Sequence, residues 1–385
     1  MKVVILGAGL MGKEAARDLI QNEDVEKVYL ADVDTTSATA FLQTLTTSKI
    51  EVLTVDANDE QSLKETIALG DIVLNALFYT FNEKVARTAI EVGVHYVDLG
   101  GHIGGATDAV LKMHEQAVEK NVTLIPDLGV APGMMNILAG YGSEQLDETQ
   151  AIKIYVGGIP VEPEPPLNYN LVFSLEGVFD HYTEPSHIIR EGALTTVPSL
   201  SEVEPIQFEG YEYLEAFHTS GGTSTLLQSF QQIETVEYKT IRYQGHAKKF
   251  KLLIDLGLLD RNEVVQIDGK AIHLRDVMRE QLMKKLTLGS KKDAVLLRVI
   301  VSGVKNGQPT SYTYELITEK DEVTNETAMA RATANTLSIV AQMVGRREIQ
   351  LAGVFPPEKI VPGKRYIEEM KLRDIEIIES VEVGQ

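Results

Sequence analysis

Gly7, Gly9 and Gly12 follow the apolar run Val3–Leu6, and Asp32 closes the next apolar run twenty positions later (32 minus 12). Those residue types at that spacing do one kind of chemistry: they hold a dinucleotide. Gly7 permits a tight turn out of a strand, and Gly9 lets the backbone approach a pyrophosphate. Gly12 lets the next helix pack closely on the sheet, with its first amides aimed at the phosphates. Leu10 and Met11 complete the turn. Asp32 can accept hydrogen bonds from an adenosine ribose, while its charge repels a 2′-phosphate. The Val33-Asp34-Thr35-Thr36 segment behind it offers no Arg or Lys to receive one. NAD is therefore expected rather than NADP.

Such a fingerprint works only on a strand, a turn and a helix. Strands are expected at Val3–Leu6, Val28–Ala31, Glu51–Val55, Ile72–Ala76, Tyr96–Leu99 and Thr123–Ile125, with helices over 13–22, 36–47, 60–69, 82–92 and 106–120. This alternation predicts an α/β Rossmann domain, a doubly wound parallel sheet whose ligands gather at the carboxyl ends of the strands. Those ends carry Asp32 and Val33, Asp56 and Ala57, Asn75, Ala76 and Leu77, then Asp98 and Gly100. All but Asp98 join the three glycines, Leu10 and Met11 as cofactor-binding candidates.

Beyond Pro132 the pattern changes. Runs at 152–157, 235–243, 250–257, 263–268, 294–302 and 310–317 read as strands, and the proline-rich stretch 157–166 reads as an irregular arm or cover. Apolar spacing over 326–344 predicts a long helix that returns with the tail to the first domain, making it discontinuous. The expected organisation is 1–130 for the NAD-binding domain, 131–325 for an inserted α+β substrate and dimerisation domain, and 326–385 for the return.

Composition narrows the function. With Lys+Arg 36 against Asp+Glu 56 the net charge is −20, which disfavours nucleic acid and anionic membranes. There is no cysteine, so no thiol nucleophile, disulfide or cysteine metal site exists. No run approaches the ~18 apolar residues of a membrane span. The N-terminal apolar run stops at the glycine turn, unlike a signal peptide, and a cytoplasmic protein is expected.

Four segments carry a family resemblance: Tyr96–Gly101, Pro126–Met134, Lys239–His246 and the acidic, proline-rich stretch from Gly157. With the N-terminal fingerprint they resemble the saccharopine dehydrogenase-like family. Tyr155–Arg190 and Pro198–Ser229 look closest to the bacterial L-lysine 6-dehydrogenases. The likeness runs to Val354-Phe355-Pro356-Pro357-Glu358. It implies oxidative deamination: L-lysine, NAD and water give 2-aminoadipate 6-semialdehyde, ammonia and NADH. It also implies a homo-oligomer and a small amino acid as the partner.

That reaction needs a base for the ε-amine and a cation for the α-carboxylate. Arg242, in the Lys239–His246 motif, is the carboxylate candidate, with His246 in support. His181 and His218 are candidate bases because histidine titrates near working pH. Asp98 can orient water or ammonium, or cap a helix. His102 and Thr223 are further substrate candidates. His181, His187, His218 and His246 lack metal-ligand spacing, and no metal is expected. The alternatives are saccharopine dehydrogenase, a carboxynorspermidine-type reductase, or a protein that binds NAD without turnover. Saccharopine carries additional carboxylates and demands more than one cation; only Arg242 and Arg190 stand out.

Overall fold

The computed structural model describes residues 1–101, 105–172 and 174–384. The first strands are β1 (Lys2–Leu6), β2 (Lys27–Asp32), β3 (Ile50–Thr54), β4 (Ile72–Asn75), β5 (His95–Asp98) and β6 (Thr123–Ile125). Their apolar residues run on without alternation because helices cover both faces of the sheet. Helices Leu10–Ile20, Thr36–Gln43, Glu60–Ile67 and Asn82–Val92 fill the first gaps. The single helix expected over 106–120 is instead two, Ala106–Leu111 and His114–Glu119. Val110, Met113 and Ala117 from this stretch all reach the core.

The second half is built on β7 (Glu148–Pro160), β8 (Ser186–Arg190), β9 (Ala193–Val197), β10 (Glu204–Phe208), β11 (Tyr211–His218) and β12 (Thr235–Tyr243). It continues with β13 (Val264–Ile267), β14 (Lys270–His273), β15 (Asp293–Lys305) and β16 (Gln308–Glu319). Two expectations fail here. The run 250–257 lies in a helix, His246–Asp255, because His246, Ala247 and Phe250 bury one face at helical spacing. The arm from Gly157 is strand as far as Pro160, where β15 pairs with it along its length.

The chain ends with helix Ala328–Gly345, β17 (Gly353–Val354), helix Gly363–Lys371 and β18 (Ile377–Val383). It divides into two compact units, Met1–Tyr141 with Ala330–Ile375, and Gly142–Met329 with Glu376–Gln385. The first holds a parallel sheet ordered β17-β6-β5-β4-β1-β2-β3. Its order reverses between β1 and β4, the place where such sheets take ligands. The second holds a mixed sheet, β10-β11-β12-β7-β15-β16-β18, with β8 and β9 branching from β12. The tail therefore differs from the expected return: residues 353–354 pair in the first sheet, but β18 pairs with β16 in the second. No described helix is long and apolar enough to cross a membrane.

Candidate functional site

In the first unit the fingerprint folds as its residue types require. Gly7 has φ +99°, and a Cβ there would lie 2.8 Å from the Ala76 carbonyl oxygen. A Cβ on Gly12 would lie 1.8 Å from the Gly7 oxygen, which fixes how closely the helix packs. Gly9 is different. Nothing lies within 4 Å of its Cβ position, so packing does not require glycine there. It caps helix Leu10–Ile20 with no side chain, and no side-chain acceptor occupies the first-turn amides. An open glycine before an uncapped helix start fits a dinucleotide pyrophosphate.

Asp32 is held facing the same turn. One carboxylate oxygen accepts from Ala8 N at 2.7 Å and the other from Asp34 N at 3.1 Å. Lys13 Nζ donates to Ser37 Oγ at 3.0 Å, placing a cation at the start of helix Thr36–Gln43. Asp56 accepts from Asn58 N and Nδ2 in a turn that seats Ala57. Asn75 Nδ2 donates to Asn82 Oδ1, and Asn82 Nδ2 donates to the Gly100 carbonyl, tying the ends of β4 and β5 together. Gly7, Asp32, Asn75 to Leu77 and Gly100 thus follow the carboxyl ends of neighbouring strands.

Asp98 is fully buried in this unit. Its Oδ2 accepts from Tyr96 Oη at 2.7 Å, and Oδ1 accepts from Gly100 N at 2.6 Å and Asp127 N at 3.1 Å. Burial, followed by the charge of Asp127, pushes its carboxyl up to about 7. These contacts organise two strand ends and leave Asp98 a structural carboxyl. His102 lies outside the described residues.

In the second unit Arg242 lies on one face of β12, while His218, in register with Lys239, lies on the other. Tyr238 and Thr240 share the face of Arg242, beside Phe217 and Glu215 in the antiparallel ladder. Arg242 is 4% exposed. Its Nε donates to Tyr182 Oη at 3.1 Å, its Nη1 to the Ile241 carbonyl at 2.8 Å, and its guanidinium lies 4.7 Å from the centre of the Tyr169 ring. No described carboxylate pairs with it. Glu215, directly opposite, spends both oxygens on Gly245 N and Ala247 N, capping helix His246–Asp255. A buried guanidinium without a counter-charge is costly unless an anion completes it.

The proton positions around Arg242 are set by elimination. Arginine only donates, so Tyr182 Oη accepts from it. A carbonyl only accepts, so the proton of the neutral His246 ring sits on Nδ1, facing the Leu167 carbonyl at 3.4 Å. Nε2 then accepts from Tyr182 Oη, 3.0 Å away. Burial, reinforced by Arg242, holds His246 well below its ordinary pKa and neutral. His246 thus reaches Arg242 through Tyr182.

The two candidate bases separate. His218 Nδ1 faces the Tyr238 carbonyl at 3.1 Å and Nε2 faces Glu202 at 3.2 Å. Arg190, and secondarily His218, hold the Glu202 carboxyl down to about 2, so both partners are acceptors. Both ring nitrogens of His218 thus face acceptors that belong to the fold itself. His181 differs: Nδ1 meets the Ser220 carbonyl at 2.5 Å, so the lone pair sits on Nε2. Burial lowers its pKa and keeps it neutral. Thr223 donates to the His187 carbonyl at 3.1 Å, fixing the loop. Gly222 lies against the Tyr238 ring, where a Cβ would come within 2.0 Å, so this glycine serves packing, while Gly221 takes a left-handed turn with φ +78°. Arg190 is committed to Glu202 and Glu237.

Tyr169 and Tyr182 had no role assigned from sequence, although Tyr182 stands in the polar stretch Asp180-His181-Tyr182. Tyr182 is the next residue after His181, but only the folded helix Leu175–Thr183 brings it to Arg242. Tyr169 follows the proline-rich stretch, where no periodicity marks a buried residue.

A parallel doubly wound sheet with an open glycine turn defines an NAD(P)-binding Rossmann protein. Residues 3–125 match the model of the saccharopine dehydrogenase NADP binding domain, and residues 129–375 that of the saccharopine dehydrogenase C-terminal domain. The chain belongs to the saccharopine dehydrogenase family. It is 24% identical over 306 residues to the NADP(+)-dependent, L-glutamate-forming saccharopine dehydrogenase of Saccharomyces cerevisiae, covering 76% of this chain and 66% of that enzyme. It is 25% identical over 277 residues to the mitochondrial alpha-aminoadipic semialdehyde synthase of Rattus norvegicus, covering 68% of this chain and 28% of that protein. The structure of apo saccharopine dehydrogenase from Saccharomyces cerevisiae shares the fold, with TM-score 0.82, 20% identity and 99% of both chains covered. So does homospermidine synthase from Legionella pneumophila in complex with NAD, with TM-score 0.67, 12% identity, and 98% and 91% covered.

Proposed function

We propose that the protein is an NAD-dependent dehydrogenase that oxidatively deaminates the ε-amine of L-lysine to 2-aminoadipate 6-semialdehyde. One observation carries the choice of substrate. Arg242 is buried with no carboxylate partner among the described residues, whereas Arg190, the second cation considered, is saturated by Glu202 and Glu237. A seat with one uncommitted guanidinium fits one carboxylate, as in lysine, better than the several of saccharopine.

Bound NAD would take the hydride from the ε-carbon, with Gly9 and the helix start holding its pyrophosphate and Asp32 its ribose. Arg242 receives the α-carboxylate in a fixed orientation, because Tyr182 and His246 hold its Nε. His181 Nε2 accepts the proton that must leave the ε-ammonium before hydride loss. Asp32 favours NAD, since its anchored carboxylate would face a 2′-phosphate.

The test is a two-by-two assay of L-lysine and saccharopine against NAD and NADP, read as reduced nicotinamide absorbance with ammonia release. Turnover of lysine with NAD is expected. Turnover of saccharopine alone, or none with lysine under either cofactor, would overturn the proposal.

A further inference from the structure

Tyr169 carries a polar atom that the fold leaves unused. The residue is 2% exposed and its Oη makes no hydrogen bond with any described group. A buried hydroxyl without a partner costs free energy, and native interiors rarely keep one except where something else completes it. Its surroundings are specific. The ring lies 4.7 Å from the Arg242 guanidinium and edge-on to His246, with centroids 5.1 Å apart. Burial raises the phenol above its ordinary pKa, so it remains an O–H donor at neutral pH. Two donors thus adjoin each other: a phenol whose proton meets no described acceptor and a guanidinium that meets no described carboxylate. An ammonium group fits poorly there, because Arg242 would repel it. A carboxylate accepts from both.

We infer that the Tyr169 hydroxyl is a second, unassigned binding group for the ligand carboxylate received by Arg242. The inference rests on the reading that an amino acid carboxylate occupies this site. The partners divide the work. Tyr182 and the Ile241 carbonyl take Nε and one Nη1 hydrogen, and Tyr169, whose ring lies 4.7 Å from the guanidinium, supplies a further donor beside it. The phenol reads the carboxylate as an acceptor, which a ligand with an amine or hydrogen in that position cannot provide.

Tyr169→Phe removes only the oxygen, and no described hydrogen bond is lost with it. Its melting temperature without ligand should equal or exceed that of the wild type. Binding of L-lysine, 6-aminohexanoate, L-glutamate and saccharopine to the full chain is then measured by calorimetry, with 1,5-diaminopentane as the probe lacking a carboxylate. The variant should bind each carboxylate that the wild type binds about tenfold more weakly, the order of one hydrogen bond to a charged group, and the diamine unchanged. With lysine as substrate, KM should rise by that factor while kcat stays within twofold or so. If the wild type binds a carboxylate but does not turn over lysine, and the variant weakens that binding, the lysine reading fails and the Tyr169 assignment stands. Unchanged carboxylate affinity in the variant means that the hydroxyl serves a structural water only, and overturns the inference. Equal loss for carboxylates and diamine overturns it too, as does a wild type that binds no carboxylate.

Discussion

Replacing Asp98 by Asn should make the protein more stable at pH 8 while leaving it almost unchanged near pH 4. Asp98 is fully buried, and burial with the charge of Asp127 holds its carboxyl at about 7. An unfolded aspartate titrates near 4, so between those values the native chain keeps a proton that the unfolded chain has released. Stability therefore falls as pH rises through that window, by about 1.4 kcal/mol per unit, and is level above it. Over the roughly three units involved the loss reaches about 4 kcal/mol. Asparagine fits the site: its oxygen can keep Gly100 N and Asp127 N, and Tyr96 Oη can turn to the Asn82 carbonyl, 3.3 Å away. The assay is urea unfolding followed by circular dichroism at pH 5, 6, 7 and 8. The difference between the two proteins should grow with pH and saturate near 7. Parallel curves, or an Asn variant weaker at pH 8, would refute the reasoning. Turnover by this variant should stay within about tenfold of the wild type, since Asp98 is assigned a structural role and proton transfer is worth far more.

Other outcomes follow from the same geometry. Arg242→Lys loses the planar donor edge and should raise KM for L-lysine by tenfold or more with a smaller change in kcat, measured by steady-state kinetics. Tyr182→Phe should do the same more weakly, because Arg242 Nε loses its acceptor while the charge remains. His181→Gln should lower kcat/KM by about 10²- to 10⁴-fold. In the wild type, the acid limb of kcat/KM should fall below pH 6.5, since burial lowers the His181 pKa and the neutral ring is the active form. Asp32→Ser should reduce the preference for NAD by tenfold or more, with Lys13 near Ser37 available to a 2′-phosphate. Cofactor competition in the steady state measures it.

The first unit was legible because its signals are local. Glycine spacing, strand runs and strand-end polar residues are all set within a few residues, and Asn82–Val92 and Thr123–Ile125 fall where periodicity puts them. The second unit was legible in type but not in pairing. The segment after Gly245 alternates ambiguously between periods, and the buried contacts of Phe250 decide for helix. The roles of the histidines were hidden for another reason. His181 and His218 share a residue type, but the partners their rings face are Ser220, Tyr238 and Glu202, all distant in sequence. Arg242 could be named from its motif, yet its missing counter-charge appears only when Glu215 is seen capping a helix.

The central claim is that hydride leaves the ε-carbon of lysine. L-Lysine deuterated at C6 and L-lysine deuterated at C2 can each be turned over with NAD and the reduced cofactor examined by mass spectrometry. Deuterium should appear in the cofactor from the C6-labelled substrate alone, with one ammonia released per cofactor reduced. Transfer from C2, or no reduction from either substrate, would contradict the account.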